Sequence, residues 1–203
     1  MRKLKTERRP EILDAALAIA DERGLDALSM RAVADRVGVT PMALYGYFRN
    51  KDELLDGLVG RLLGDMPPVD PELDGRERLG AMAHGFRQVA LRHPAVFPLM
   101  FSRPSVTPDA VRVSDAVYQA LLDCGVPDDQ VPRMERLATT FIMGWATSEV
   151  SGRFSASAAS ARARRGADLP AHQRLAPYLD GPRDLDAEFD ADLADLFRII
   201  RPE

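Results

Sequence analysis

Of 203 residues only one is cysteine, Cys124, and only three are histidine. A single thiol cannot close an internal disulfide, which excludes a small cross-linked secreted scaffold and fits a reducing cytosol. Cys124 itself reads as a small buried hydrophobe rather than a reactive thiol. His84, His93 and His172 stand far apart, and the chain shows no HExxH, no Cys/His cluster, no GxSxG and no phosphate-cradling glycine loop. Neither a metal centre nor a catalytic constellation is expected, and no cofactor is implied. His93 precedes Pro94 at a helix end, where it reads as a cap rather than a base. No apolar run approaches the length of a membrane span. The basic start, Met1 to Lys5, lacks the apolar segment of a secretion signal, so a cytoplasmic location is expected. β-alternation never lasts for a full strand.

What is present is a globular share of hydrophobic residues, 46%, enough to bury a core. Net charge is −4, but it is unevenly placed. Residues 1–64 carry 11 Lys/Arg against 10 Asp/Glu, whereas residues 65–203 carry 16 against 21. A basic arm (Arg2, Lys3, Lys5, Arg8 and Arg9) precedes an acidic body, so a polyanionic partner is compatible with the negative total.

The chain reads as all-α. Ile12, Ala16, Ile19 and Ala20 recur at helical spacing over Arg8–Arg23, and Gly24 is a stop. Ser29 caps a short second helix with Met30, Val33, Ala34 and Val37 inward, broken by Gly38. Thr40-Pro41 starts a third with a capping hydroxyl and a proline at the first helical position. Asn50 caps a fourth helix, with Asp52 and Glu53 in its first turn. It runs to about Asp65, where MPPVDPELDG marks a linker. Further helices are expected at Gly75–Arg92, near Ala95–Phe101, at Thr107–Cys124, from Pro127 to about Phe154, near Ala171–Leu179 and at Asp186–Ile200. Ser155–Gly166 reads as a mobile loop of small and basic residues.

Three short helices with a tight turn between the second and third match a helix-turn-helix. The outer face of a recognition helix is meant to touch DNA, so its aromatic residues need not be core. Leu44 and Phe48 are expected inward, whereas Tyr45 and Tyr47 offer hydroxyls to phosphates. Thr40 and Lys51 sit at helix N-termini, which favour anions, and Ser29 at the start of the second helix is counted with them. Pro41, Met42 and Ala43 lead the third helix toward base edges, with thymine methyls as apolar partners. Gly46 leaves space for the DNA backbone. Arg31 is the candidate for a bidentate guanine contact.

Three segments carry a specific resemblance: RxxILDAALxIADERG (Arg9–Gly24), LSMRAVADRVGV (Leu28–Val39) and ALYGYFRNKDELL (Ala43–Leu55). They resemble the DNA-binding domain of the TetR family of bacterial repressors. LRHPAV (Leu91–Val96) and ATTFIMGW (Ala138–Trp145) resemble the tetracycline-repressor type of C-terminal domain. The resemblance implies a helix-turn-helix domain over residues 1–50, a linker helix over 51–65, and a helical ligand-binding and dimerisation domain over 66–203.

It also implies a homodimer on a palindromic DNA operator, with a small-molecule pocket in each body. Leu137, Phe141, Ile142 and Trp145 form one candidate interface stripe, with Gly144 permitting close helix approach, and Phe189, Leu193, Leu196, Phe197 and Ile200 another; intrachain core is the alternative for both. Candidate pocket residues are Met82, Phe86, Met100, Phe101, Tyr118, Phe141 and Trp145, with His84 and Arg87 as polar anchors. Where Met82 and Met100 stand, the tetracycline repressors carry an asparagine and a metal-binding histidine. Methionine serves neither purpose, which points away from tetracycline and toward a more apolar effector. Two rival readings stay open: a dimeric DNA-binding regulator without a small-molecule effector, and a helical enzyme.

Overall fold

The computed structural model describes residues 5–103, 107–155, 168–179 and 181–200; the expected loop at Ser155–Gly166 therefore falls almost wholly outside the described residues, as do Arg2 and Lys3 of the arm. All regular elements among the described residues are helical. They are α1 (Lys5–Arg23), a single 3₁₀ turn (Leu25–Ala27), α2 (Met30–Val37), α3 (Pro41–Tyr45), α4 (Lys51–Gly64), α5 (Gly75–Arg92), α6 (Leu99–Ser102), α7 (Pro108–Asp123), α8 (Val131–Val150), α9 (Pro170–Leu179) and α10 (Leu185–Ile200).

Local chemistry sets most of these bounds. The Asp74 carboxylate accepts from Glu77 N at 2.8 Å, and the Glu77 carboxylate accepts from Asp74 N at 3.0 Å, a reciprocal cap that starts α5 where the sequence places it. The eighth helix begins later than Pro127. Pro127 O accepts from Gln130 N and Val131 N, so residues 127–130 form a turn ahead of it. It also ends before Phe154, because Gly152 takes φ 73° and reverses the chain.

In the N-terminal unit α1 packs on α2 and α4. Ile12, Ala16, Ile19, Val33, Leu44 and Phe48 are fully buried there. Gly57 of α4 permits this closeness, since a Cβ on it would stand 3.1 Å from Phe48 Cε1. In the body, α5, α7 and α8 pack on one another, and α4 lies against α7, so one helix belongs to both units.

Arg87 locks the body. It is buried, yet its Nε and Nη2 each donate to Glu149 at 2.7 Å, and Nη2 lies 2.6 Å from Asp186. That joins α5 to α8 and α10, with the guanidinium 5.1 Å from the Trp145 ring centre and 5.2 Å from that of Phe189. The Glu149 carboxylate raises the Arg87 pKa further above its ordinary value, and Asp186 adds to it against the cost of burial. Breaking such a pair strands a buried carboxylate, which is far costlier than losing a surface ion pair.

The packing also tells two glycines apart. A Cβ on Gly75 would stand 2.5 Å from Ala120 O and 3.0 Å from Cys124 N, both backbone atoms of the α7 end, whereas one on Gly64 would meet nothing within 4 Å. Gly75→Ala is therefore expected to destabilise the fold by about 2–4 kcal/mol in chemical denaturation, and Gly64→Ala to cost nothing measurable.

Candidate functional site

The turn between α2 and α3 is built by backbone chemistry. Ser29 Oγ accepts from Ala32 N at 3.1 Å and starts α2. Gly38, at φ 74°, ends it, and Val39 N returns to Ala34 O at 2.9 Å. That six-to-one bond needs a left-handed residue, which glycine adopts without a Cβ penalty. Ala34 is fully buried at the crossing. Thr40 Oγ1 then accepts from Ala43 N at 3.2 Å, and Pro41 occupies the first turn of α3.

The five residues of α3 divide by face. Leu44 is fully buried, as is Phe48 just beyond the helix, whereas Met42 is 81% and Tyr45 48% exposed. Pro41, Ala43 and Gly46 are exposed as well, and Tyr47 is half-buried against the core. A Cβ on Gly46 would lie 3.1 Å from Ala43 O, so the local restriction there comes from its own helix turn. Arg31 stands open, its side chain 86% exposed and the Asp35 carboxylate 4.0 Å away. Lys51 is exposed at the first turn of α4. Apart from Tyr47 the candidates are thus exposed, with an apolar outer face on α3 flanked by polar side chains at the α2 start and the α4 start.

The next turn is held by charge. Glu53 accepts from Arg49 N at 2.8 Å, from Arg49 Nε at 3.1 Å and from Arg9 Nη1 at 3.3 Å. These donors, the Arg49 backbone N–H first, hold the Glu53 carboxyl below its ordinary range. Arg9, read from sequence as part of a basic arm, is engaged by the fold. Its guanidinium lies 4.2 Å over the Phe48 ring and donates to Tyr47 O at 2.8 Å.

The expected pocket fares differently. Met82 and Phe86 do line an apolar cavity between α5, α7, α8 and α10, together with Val117, Ile142 and Met143. The cavity holds only about 20 Å³, room for a single water. Other expected lining residues lie elsewhere. Tyr118 is on the outer face of α7, in a shallow surface groove beside Leu122 and Pro132. Phe101 is half exposed, and Met100 and Phe141 pack at the edge of the core. The Trp145 indole N–H is satisfied by Asp192 at 2.8 Å, and its ring lies 4.7 Å from that of Phe189. His84 faces Asp190 at 3.1 Å and meets Phe189 edge-on, and Arg87 is committed to Glu149 and Asp186, so neither is a free polar anchor.

The second interface stripe faces inward in the single chain. Phe189, Leu193, Leu196 and Ile200 are buried within their own chain, and Phe197 lines the cavity. Facing inward at helical spacing, such residues read alike whether they cover their own core or a partner. On α8 the stripe stays partly open: Leu137 is 38% exposed, and Phe141 and Gly144 are half-buried.

Two further connections escaped the sequence reading. Arg103, at the end of α6, reaches Asp52 at 2.6 Å and Asp56 at 2.7 Å, gripping the first half of α4. His93 ends α5 with its Nδ1 2.8 Å from Asp21 of α1 and its Nε2 3.6 Å from Asp65. Long-range pairs of this kind leave no spacing signal in a sequence.

The comparisons with known proteins agree with this geometry. The family described as bacterial regulatory proteins, tetR family, matches residues 12–58, and the tetracyclin repressor-like C-terminal domain matches residues 67–190. An HTH-type transcriptional regulator of Saccharopolyspora erythraea is 31% identical over 169 residues, 79% of this chain and 71% of that protein. The transcriptional repressor DrrR1 of Streptomyces coeruleorubidus is 32% identical over 143 residues, 68% of this chain but only 52% of its own length. Among solved structures, the Streptomyces coelicolor TetR family protein ActR in complex with (S)-DNPA superposes with a TM-score of 0.77 at 25% identity, covering 95% of this chain and 96% of ActR. With both domains matched and the helix-turn-helix in place, the chain belongs to the TetR family of DNA-binding transcriptional regulators.

Proposed function

We propose that this chain is a repressor that binds a palindromic operator as a homodimer and is released by a small, largely apolar effector. The observation that carries the reading is the division of α3, with Leu44 buried while Met42 and Tyr45 stand in solvent. Such a short helix with an apolar outer face is explained by a partner that covers it, and the exposed Arg31 and Lys51 suit a polyanion. Tyr45, Tyr47, Thr40, Ser29 and Lys51 are assigned to phosphates. Pro41, Met42 and Ala43 are assigned to base edges and thymine methyls, with Gly46 leaving clearance and Arg31 on a guanine. Release is supported by α4, which carries the reader at one end and is held by Arg103 of the body along the same half. A shift of α4 changes the separation of two recognition helices, which must span about 34–36 Å between successive major grooves. A coupling of about 1–3 kcal/mol gives a 5–150-fold change in affinity. The (S)-DNPA complex of ActR supports a small-molecule effector for a protein of this fold.

For the dimer, the open stripe of α8 (Leu137, Phe141, Gly144) is assigned together with the outer face of α10. Ala187, Ala191 and Ala194 are exposed there at helical spacing, and Ile199 is 62% exposed. Small side chains let two helices approach closely. The narrow cavity favours one alternative, a dimeric regulator with no small-molecule effector. A concentration-dependent rise in melting temperature with any apolar ligand decides against that alternative.

In fluorescence anisotropy with operator DNA, Lys51→Ala is expected to weaken binding to every sequence alike and to lower the salt slope by about one. Arg31→Ala should instead lose about 1–3 kcal/mol of discrimination at one base pair per half-site. Wild-type behaviour in both variants removes this surface from the DNA interface. In sedimentation velocity, Leu137→Glu combined with Ile199→Glu should give a folded monomer, and a persistent dimer would place the interface elsewhere.

A further inference from the structure

A second, larger hollow lies beside the cavity. It is an open crevice of about 740 Å³ between the end of α4, the α4–α5 connection, α5 and α7. That volume is in the range of small-molecule sites, whereas the inner cavity holds about 20 Å³. Met82 lines both. The outer wall is preformed: Pro67 and Pro68 have fixed φ, and Pro67 seats on α5 at Gly85, where a Cβ would stand 3.2 Å from Pro67 Cδ. Val113 faces the hollow from α7.

The charged groups on its walls are mostly engaged with one another. Arg112 and Asp109 pair at 2.6 Å, and Arg78 binds Asp123, which also accepts from Gln119 at 3.0 Å. One donor is left over: Nε of Arg78, a crevice residue, is buried with no acceptor among the described residues. A buried N–H of a guanidinium without an acceptor costs more than an ordinary lost hydrogen bond, so a group that supplies one binds there to advantage.

We infer that this crevice is the vestibule of the effector site, that Met82 is the gate between it and the inner cavity, and that its ligands are apolar molecules carrying an acceptor oxygen for Arg78. The inference rests on the effector reading above and adds to it the entry route and the ligand class. Methionine suits a gate, being unbranched and flexible, so a rotamer change joins the two hollows without moving a helix. An acceptor oxygen of a carboxylate, ketone or phenol meets the Arg78 Nε once the guanidinium turns toward the crevice, while the apolar body lies against the prolines and Val113 and displaces Met82 inward.

Two measurements on the full chain test it. The first needs no ligand: with Cys124→Ala and Ile142→Cys, the inner cavity holds the only thiol, and its reaction with methyl methanethiosulfonate is timed. Met82→Ala should speed labelling at least tenfold and Met82→Phe should slow it, with melting temperatures followed so that the two variants bracket any loss of stability. Equal rates in all three overturn the gate. The second uses naphthalene-2-carboxylate in calorimetry. Saturable binding should fall about tenfold or more in Arg78→Lys, which keeps a cation for Asp123 but loses the Nε donor. Undiminished affinity in that variant, or no binding to the wild type, overturns the ligand class. A flat labelling series with operator still released by naphthalene-2-carboxylate would overturn the vestibule and leave the effector reading standing. Gated labelling and binding without operator release would instead fail the effector reading and keep the route.

Discussion

The burial of Phe48 is the constraint on which the outer face of α3 depends. The ring is fully enclosed, with Arg9 lying 4.2 Å over it and Gly57 close against its edge. Truncating an enclosed aromatic side chain costs on the order of 3–5 kcal/mol, more than losing any exposed ion pair nearby. With Phe48 and Leu44 drawn inward, the helix has no freedom to rotate its other residues into the core. Tyr45 and Met42 are left outside as the consequence of that packing rather than as its failure. Arg9 serves the same joint, which is why a residue in a basic N-terminal run is turned into the protein.

The same joint ties α4 to the reader. Phe48 packs on Gly57, halfway along α4, so the reader cannot move without that helix. Its first turns are held by Arg103 of the body, and its last by Arg61, which bonds Asp14 of α1 at 2.7 Å and also pairs with Asp65. His93 adds a direct bond from the end of α5 to α1. Each pair is partly exposed and individually worth little. Their effect is geometric: Arg103 sets where α4 sits against the body, Arg61 where it sits against α1, and His93 joins α5 to α1.

How much of this the sequence disclosed depended on the range of the interaction. Thr40-Pro41, Ser29, Gly38 and Asp74…Glu77 act within a few residues, and they set the bounds of α2, α3 and α5 where the structure has them. The all-α architecture and the family followed from the same local signals and the motifs around them. The pocket and the interface did not, because burial at helical spacing has one signature whatever lies opposite. Phe189 and Leu193 repeat as an interface residue would and are buried within the single chain, Phe189 against Trp145, while Tyr118, next in sequence to the cavity residue Val117, faces out. Arg87 looked like a polar anchor because its partners, Glu149 and Asp186, are 62 and 99 positions further along the chain.

The measurement that bears most directly on the central claim is a structure of the protein on its operator. Two copies are expected with α3 in successive major grooves about 34–36 Å apart, Pro41, Met42 and Ala43 over base edges, and Tyr45 and Lys51 against phosphates. DNA lying on any other surface, with Met42 and Tyr45 still in solvent, would contradict it.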